Sequence, residues 1–164
     1  MVELRDFKLD DKNRLISCLN DAAVTQFLST KIPSPYTKED AHWWVTEGSK
    51  VDVVRAIAFD EQLVGCIAVN RGEFEYSRSG EIGYWIAQDY WRKGIAYNAI
   101  VEITEFVFSN TDIVRIYASV FSENIPSMKL LLKSGYKEEA ILKKAMFKNN
   151  QFYDSHIFTK LKRG

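Results

Sequence analysis

A strand, a loop and a helix follow one another in the middle of the sequence, and this order constrains the fold more than any other feature. The apolar, aromatic segment 81–86 is typical of a buried strand, and the loop 90–96 carries Arg92, Lys93 and Gly94. An amphipathic helix then begins at Ile95. A helix N-terminus has unsatisfied N–H groups that attract anions, and a glycine there lets a ligand approach the backbone. This segment therefore predicts a binding site for a phosphate-bearing ligand.

Length and charge narrow the class of protein. A chain of 164 residues without a linker or repeat predicts a single domain over residues 1–164. The 22 basic and 22 acidic residues balance, which argues against a general nucleic-acid-binding protein. The sequence has no apolar run of membrane-spanning length and no apolar signal core near Met1. We therefore expect a cytoplasmic protein with no nucleic-acid or membrane partner, in which Cys18 and Cys66 are reduced, partly buried thiols.

Apolar spacing predicts helices and strands along the whole chain. Helices are expected after Asp10-Asp11, which offers a helix cap, over Ala22–Leu28, after Thr37, over Ile95–Phe108 and between Asn124 and Gly135. The predicted strands are Val2–Leu9, Val51–Phe59, Leu63–Asn70, Gly80–Ala87, Val114–Phe121, Tyr136–Met146 and Phe152–Leu161. The early helices are followed by strands, and two later helices lie among these strands along the chain. This order indicates an α/β sandwich with a mixed sheet.

Turn and cap residues support several of these boundaries. Thr37 to Asp40 has the spacing of a capping box, with Asp in the place of the usual Glu. Asn124 can cap the last helix and Gly135 can end it. Turns are expected at Asp60-Glu61-Gln62 and at Lys148-Asn149-Asn150. The Ile95 helix should face the sheet through Ala96, Ala99, Ile100, Ile103, Phe106 and Val107.

Two motifs together identify a family resemblance. The first is Glu81 to Ile86 followed by Trp91-Arg92-Lys93-Gly94-Ile95-Ala96, and the second is Asn124-x-x-Ser127-x-x-Leu130-Leu131-x-Lys133-x-Gly135-Tyr136. In this order, separated by a helix and a strand, they resemble the pyrophosphate loop and the Asn-x-x-Ser signature of the GCN5-related N-acetyltransferase (GNAT) superfamily. Within that superfamily they are similar to the RimJ/RimL-type branch, where Trp91 replaces the usual Gln or Arg.

The resemblance implies a fold and a donor substrate. The fold is a mixed, mostly antiparallel seven-stranded sheet with helices on both faces, in which a parallel strand pair splays apart around acetyl-coenzyme A (acetyl-CoA). Backbone groups near Tyr84 to Ile86 would pair with pantetheine, and loop N–H groups would hold the pyrophosphate. The coenzyme-binding residues implied are Tyr84, Trp85, Ile86, Trp91, Arg92, Lys93, Gly94, Ile95, Ala96, Tyr97 and Asn124.

The resemblance also implies two catalytic residues. Direct attack requires a neutral amine, so a base or a water chain must take its proton, and Glu81 is the candidate base. Many relatives protonate the departing thiolate with a Tyr in the later helix, but the matching residue here is Leu131, which cannot do so. In the RimJ/RimL-type pattern Ser127 takes that role. Without the family, Glu81 could equally be a solvated carboxylate and Ser127 an ordinary first-turn residue.

The acceptor stays open at this point. It is expected to be a primary amine, either the α-amine of a protein N-terminus or a small molecule, contacted by Phe27 and Leu28 and by the turn at 148–150. His42 and His156 lack partners at metal-ligand spacing, so no metal is expected. A homodimer is plausible by family analogy. The alternative function is a non-catalytic module that binds acyl-CoA as a sensor or scaffold.

Overall fold

The computed structural model describes residues 1–164 and contains seven strands in one sheet. The strands are β1 (Val2–Arg5), β2 (Val53–Phe59), β3 (Gln62–Arg71), β4 (Ser79–Ile86), β5 (Arg115–Phe121), β6 (Lys137–Lys148) and β7 (Gln151–Leu161). The helices are α1 (Lys12–Leu19), α2 (Ala22–Thr25), α3 (Lys38–Thr46), α4 (Ile95–Asn110) and α5 (Ile125–Lys133). The strand order is β1-β2-β3-β4-β5-β7-β6.

The sheet is mixed and mostly antiparallel, as the resemblance implied. Pairs β1/β2, β5/β7 and β6/β7 are antiparallel, whereas β4 and β5 are parallel. This confirms the predicted α/β fold class. The chain forms two compact units, one of Met1–Ala68 with Tyr84–Ala99 and the other of Val69–Gly83 with Ile100–Gly164. Each is described separately below.

The first unit has a hydrophobic cluster under α1 and α3. Leu15, Ala41, Ala56 and Leu63 are at most 1% exposed in it. The predicted hairpin between β2 and β3 is present, and its two turn residues Asp60 and Glu61 have φ of 51° and 70°. Two consecutive residues with positive φ are typical of a tight hairpin turn.

The helix starts of the first unit differ in how well the sequence predicts them. The capping box of α3 is confirmed, because the Thr37 hydroxyl accepts from Asp40 N and the Asp40 carboxylate accepts from Thr37 N. The predicted cap of α1 is wrong: the Asp11 carboxylate accepts instead from Lys8 N and from both terminal nitrogens of Arg5, all at 2.9 Å. Since Arg5 offers a bidentate cation, it outcompetes the single backbone N–H groups of the helix.

The second unit packs α4 and α5 residues into a core with β5. The buried residues of β5 alternate, with Ile116, Ala118 and Val120 at most 5% exposed, whereas Val114, predicted as the first residue of this strand, lies before it and is 39% exposed. In α4, Ile100, Ile103 and Val107 are at most 1% exposed, but Phe106 is 40% exposed. At about 100° per residue, Phe106 lies at the edge of the apolar stripe rather than within it.

A polar pair occupies part of that core. The hydroxyl groups of Thr104 and Tyr136 are 2.7 Å apart, and both side chains are at most 2% exposed. Because each hydroxyl satisfies the other, the pair avoids the cost of burying an unpaired polar group. Tyr136 directly follows Gly135, whose φ of 91° ends α5 as predicted.

The last two strands form a long hairpin. Its turn residues Asn149 and Asn150 have φ of 53° and 59°, values that asparagine tolerates better than most residues. Lys148, predicted as part of the turn, is the last residue of β6. No helix is long and apolar enough to span a bilayer, and both cysteines are buried free thiols.

Candidate active site

The loop that leads into α4 is anchored to the end of β4 by a tryptophan. Gln88–Tyr90 form a short 3-10 turn, and the Trp91 indole N–H donates to the carbonyl of Ile86 at 2.8 Å. The tyrosine of the turn packs on Phe59, with ring centroids 5.9 Å apart. Trp91 therefore has a clear structural role, since it fixes where the loop leaves the strand.

The backbone of this loop adopts a left-handed conformation at two positions. Arg92 has φ of 63° and Gly94 has φ of 77°. A Cβ built on Gly94 would meet no atom within 4 Å, so the space beside this backbone is open. Arg92 and Lys93 are exposed beside it and form no ion pair. The loop thus places two cations next to an accessible stretch of backbone.

The N-cap position of helix α4 is Gly94, which has no side chain to accept from the first N–H groups of the helix. Glycine has no side chain, and the cations of Arg92 and Lys93 cannot accept a hydrogen bond. The N–H of Asn98 bonds to the carbonyl of Gly94 at 3.1 Å, which makes Gly94 the first in-helix acceptor. Ile95 is buried, and Ala96 and Tyr97 are half-buried. These features suit an anion at the helix start.

The end of β4 offers backbone groups rather than side chains. Trp85 and Ile86 are 9% and 8% exposed, and Trp85 belongs to the hydrophobic cluster of the first unit. Gly65 of β3 lets the strands approach closely, because a Cβ there would lie 2.4 Å from the Trp85 carbonyl oxygen. Tyr84 is half-buried. Because both side chains are buried, we expect any ligand contact of Trp85 and Ile86 to involve the main chain.

In the second unit, the predicted base lies at the end of a short parallel ladder. The register pairs Ser79 with Arg115, Gly80 with Ile116 and Glu81 with Tyr117. Strand β5, by contrast, pairs with β7 along all seven of its residues. Glu81 is exposed, and no hydrogen bond or ion pair engages its carboxylate. The register therefore places Glu81 where the parallel ladder stops.

The predicted acid lies in the first turn of α5. Asn124 caps this helix through its side-chain oxygen, which accepts from Ser127 N at 3.4 Å. Ser127 is half-buried, whereas Leu131 one turn later is fully buried in the core. Leu131 is thus a packing residue, whereas Ser127 is a hydroxyl-bearing residue in the first turn of the helix.

The predicted acceptor contacts lie after α2. This helix ends at Thr25, earlier than predicted, and the N–H of Leu28 closes a separate turn onto the Thr25 carbonyl at 3.0 Å. Phe27 and Leu28 are both half-buried, and Leu28 packs against the hydrophobic cluster. Leu28 therefore has a packing role, and its contact with an acceptor stays a prediction.

A network of Arg115, Glu139 and Tyr117, which the sequence does not predict, lies next to Glu81. Arg115 donates to both carboxylate oxygens of Glu139, at 2.7 and 3.0 Å, and its guanidinium lies 5.7 Å from the ring centroid of Tyr117. The Arg115 hydrogen bonds, with one from Thr159, hold the pKa of Glu139 below its ordinary value. Side chains alternate along a strand, so the sequence alone indicates that Arg115 and Tyr117 lie on the same face of β5. That Glu81 lies beside Tyr117 follows only from the register of β4 and β5.

His156 has a carboxylate partner instead of a metal site. Its Nδ1 lies 2.7 Å from an oxygen of Glu138 on the neighbouring strand. The structure has no group of three or more His, Cys, Asp or Glu side chains that could hold a metal ion.

This chain is similar in sequence to known proteins. The family model of the acetyltransferase (GNAT) domain matches residues 2–137. The chain is 34% identical over 102 residues to the uncharacterized N-acetyltransferase YoaA of Bacillus subtilis, a match that covers 62% of this chain and 57% of that relative. It thus spans a little over half the length of that relative. It is 26% identical over 102 residues to the ribosomal-protein-serine acetyltransferase of Escherichia coli, covering 62% and 56% of the two chains.

A solved structure extends the likeness to the whole fold. The ribosomal L7/L12 α-N-protein acetyltransferase RimL, solved in complex with coenzyme A, matches with a TM-score of 0.85 over 98% of this chain and 93% of that one. At 18% sequence identity, this match shows a shared fold.

Proposed function

Because the chain belongs to the GNAT acetyltransferase family, with a RimJ/RimL-type relationship, we propose that it transfers an acetyl group from acetyl-CoA to a primary amine. The observation that carries the proposal is the loop at Arg92–Gly94, where open space beside the backbone, two exposed cations and a helix start with glycine at its N-cap coincide. A diphosphate fits this arrangement, since it needs N–H donors and positive charge together.

The first unit would bind the coenzyme. The N–H groups of residues 94–97 meet the pyrophosphate, Arg92 and Lys93 supply charge, and Trp91 fixes the loop that presents them. Main-chain groups of Tyr84, Trp85 and Ile86 pair with the pantetheine amides. Asn124, which caps α5, would contribute a polar contact to the pantetheine, as the family pattern implies. These roles follow the family pattern and agree with the burial of each side chain.

Glu81 and Ser127 would supply the proton transfers. The nitrogen of the acceptor amine forms a bond to the acetyl carbon, and the carbon–sulfur bond breaks. Glu81 accepts the proton that the amine loses, directly or through a water molecule, and Ser127 donates a hydrogen bond or proton to the departing thiolate. The exposure of Glu81 and the helix-start position of Ser127 are consistent with these roles.

The names of similar proteins indicate the chemical class of the acceptor but not the individual acceptor. Two proteins that this chain resembles are named for ribosomal proteins, one for a serine and one for the α-amine of L7/L12. We propose either a protein N-terminus or a small-molecule amine, contacted by Phe27, Leu28 and the turn at 148–150. A single acetyltransferase domain, a cytoplasmic location and a homodimer complete this proposal by family analogy.

The decisive experiment has two parts. Calorimetry with acetyl-CoA tests the donor, and no binding at micromolar protein would refute the proposal. A panel of amines and N-terminal peptides, with free thiol as the readout, then tests transfer. Binding without thiol release from any acceptor would favour the non-catalytic acyl-CoA module instead.

Two variants test the catalytic residues. Glu81→Gln and Ser127→Ala should each lower kcat by about 100-fold or more, the usual size of a lost acid or base, while acetyl-CoA affinity stays unchanged. Glu105→Gln and Ser109→Ala, at exposed positions of α4, are the matched controls and should retain full turnover. An unchanged kcat in Ser127→Ala would show that another group protonates the thiolate.

A further inference from the structure

Tyr117 faces Glu81 across the parallel strands. The two residues form the last pair of the β4/β5 register, and register partners on neighbouring strands project to the same face of a sheet. The phenol and the carboxylate are also electrostatically coupled: burial raises the pKa of Tyr117, and the negative charge of Glu81 raises it further. The predicted base therefore has a tyrosine hydroxyl as its neighbour.

The ring of Tyr117 is fixed by a network that crosses three strands. Arg115 on β5 lies over the ring and makes a two-pronged ion pair with Glu139 on β6, which also accepts from Thr159 on β7. A guanidinium held by two hydrogen bonds loses little further freedom when it packs on a ring. The network therefore holds Tyr117 in place before any ligand arrives, which lowers the entropic cost of using it for binding.

We propose that Tyr117 is a second binding partner of the acceptor amine and holds it against Glu81, an inference that rests on the proposed acetyl transfer. The ammonium form of the acceptor donates one N–H to the Glu81 carboxylate and another to the phenol oxygen of Tyr117. When Glu81 takes a proton, the freed lone pair on nitrogen attacks the acetyl carbon. The carbon–sulfur bond then breaks, and the thiolate receives a proton from Ser127. The second proton that the nitrogen loses returns to Ser127 through water, and Glu81 releases its proton to solvent, so that the products are the amide, the free thiol and one proton.

A phenol suits this position better than a second carboxylate would. Two anionic groups would stabilise the ammonium form and keep the amine unreactive. A phenol whose pKa is raised stays neutral at physiological pH, so it orients the nitrogen with little added preference for the charged form. Glu81 alone then carries the charge that attracts the amine and accepts its proton.

The test uses the best amine from the acceptor panel and the variant Tyr117→Phe. This change keeps the ring under Arg115 and removes only the hydroxyl. We expect kcat/KM for the amine to fall about 10-fold to 100-fold, the range for one hydrogen bond to a charged group, with acetyl-CoA affinity unchanged. Tyr76→Phe, the same chemical change at a 71% exposed position, should have no effect.

A second variant separates positioning from folding. Arg115→Met keeps the hydroxyl but removes the cation over the ring, and it should raise KM for the amine by a smaller factor than Tyr117→Phe does. Thermal unfolding of all variants monitors the fold. Unchanged kinetics in Tyr117→Phe, or equal losses of amine and acetyl-CoA affinity, would overturn the inference. If the wild type itself releases no thiol with any amine, the proposed function fails first and the inference falls with it.

Discussion

The N-termini of α4 and α5 differ in what satisfies their first N–H groups. At α5, Asn124 accepts from Ser127 N, and Pro126 in the first turn has no N–H to satisfy. At α4, the preceding residue is Gly94, which offers no side chain, and the two residues before it are cations. One helix start has a capping side chain at its N-cap position, and the other has a glycine there, which cannot act as a side-chain cap.

This difference separates a structural helix start from a binding site. Every helix has the same dipole, so the dipole alone does not distinguish α4 from α5. What distinguishes α4 is the lack of a capping side chain together with open space at Gly94 and two exposed cations. We therefore expect substitutions at the start of α4 to affect coenzyme binding, and loss of the Asn124 cap of α5 to affect stability in addition to the pantetheine contact proposed for Asn124.

The largest effect is expected from Gly94→Ala. The added methyl group would occupy the open space where the ligand approaches, and the φ of 77° adds about 1–2 kcal/mol of strain. We expect acetyl-CoA affinity to fall by about 100-fold, about 2.7 kcal/mol, measured by calorimetry. Gly135→Ala is the matched control, since its φ is 91°: it should lose similar stability but keep its affinity. Equal affinity losses in both would show that Gly94 acts through folding alone.

The next effect concerns charge beside the same loop. Lys93→Ala should weaken acetyl-CoA binding about 10-fold, the cost of one charge-assisted contact, and should make affinity less sensitive to salt. Binding of acetyl-pantetheine, which lacks the pyrophosphate, should not change. Lys129→Ala on the exposed side of α5 is the control. A similar loss for acetyl-pantetheine would contradict a pyrophosphate contact.

At α5 we expect an effect on stability. Asn124→Ala removes the cap, and because the bond to Ser127 N is long at 3.4 Å, the cost should be about 0.5–1 kcal/mol. Denaturant unfolding would measure this loss, and Asn124→Asp should restore the stability because aspartate caps equally well. If Asn124→Ala unfolds like the wild type, the contact with Ser127 N does not cap the helix.

Local patterns account for most of what the sequence could predict. The capping box at Thr37, the Asn124 cap and the Asp60-Glu61 turn are decided by neighbouring residues, and each is confirmed. The apolar alternation of β5 is likewise a local pattern. The predictions fail where a competing partner changes the hydrogen bonds of a residue. Asp11, for example, accepts hydrogen bonds from Arg5 and does not cap α1.

The same limit applies to the candidate site. The loop at Arg92–Gly94 is contiguous, so its glycine and cations could be read directly from the sequence. The neighbourhood of Glu81 depends on which residue of β5 lies beside it, and a shift of one position would replace Tyr117 by Ile116 or Ala118. The Arg115–Glu139 pair spans 24 residues and depends on the β5-β7-β6 order, which a single sequence does not encode locally.

The smallest effect is expected at the N-terminus of α3, where we test whether a change in the cap lowers stability without lowering acetyl-CoA affinity. Its capping box is reciprocal, with Asp40 accepting from both the N–H and the hydroxyl of Thr37. Asp40→Asn keeps an acceptor there but removes the charge near the helix dipole, so we expect a loss of about 0.3–0.5 kcal/mol, seen as a melting-temperature decrease of about 1–2 °C. Acetyl-CoA affinity should not change, because this N-terminus is already closed by its own side chains. A measurable loss of affinity would mean that anion binding is not confined to the uncapped helix, and the contrast between α4 and the capped helices would have to be abandoned.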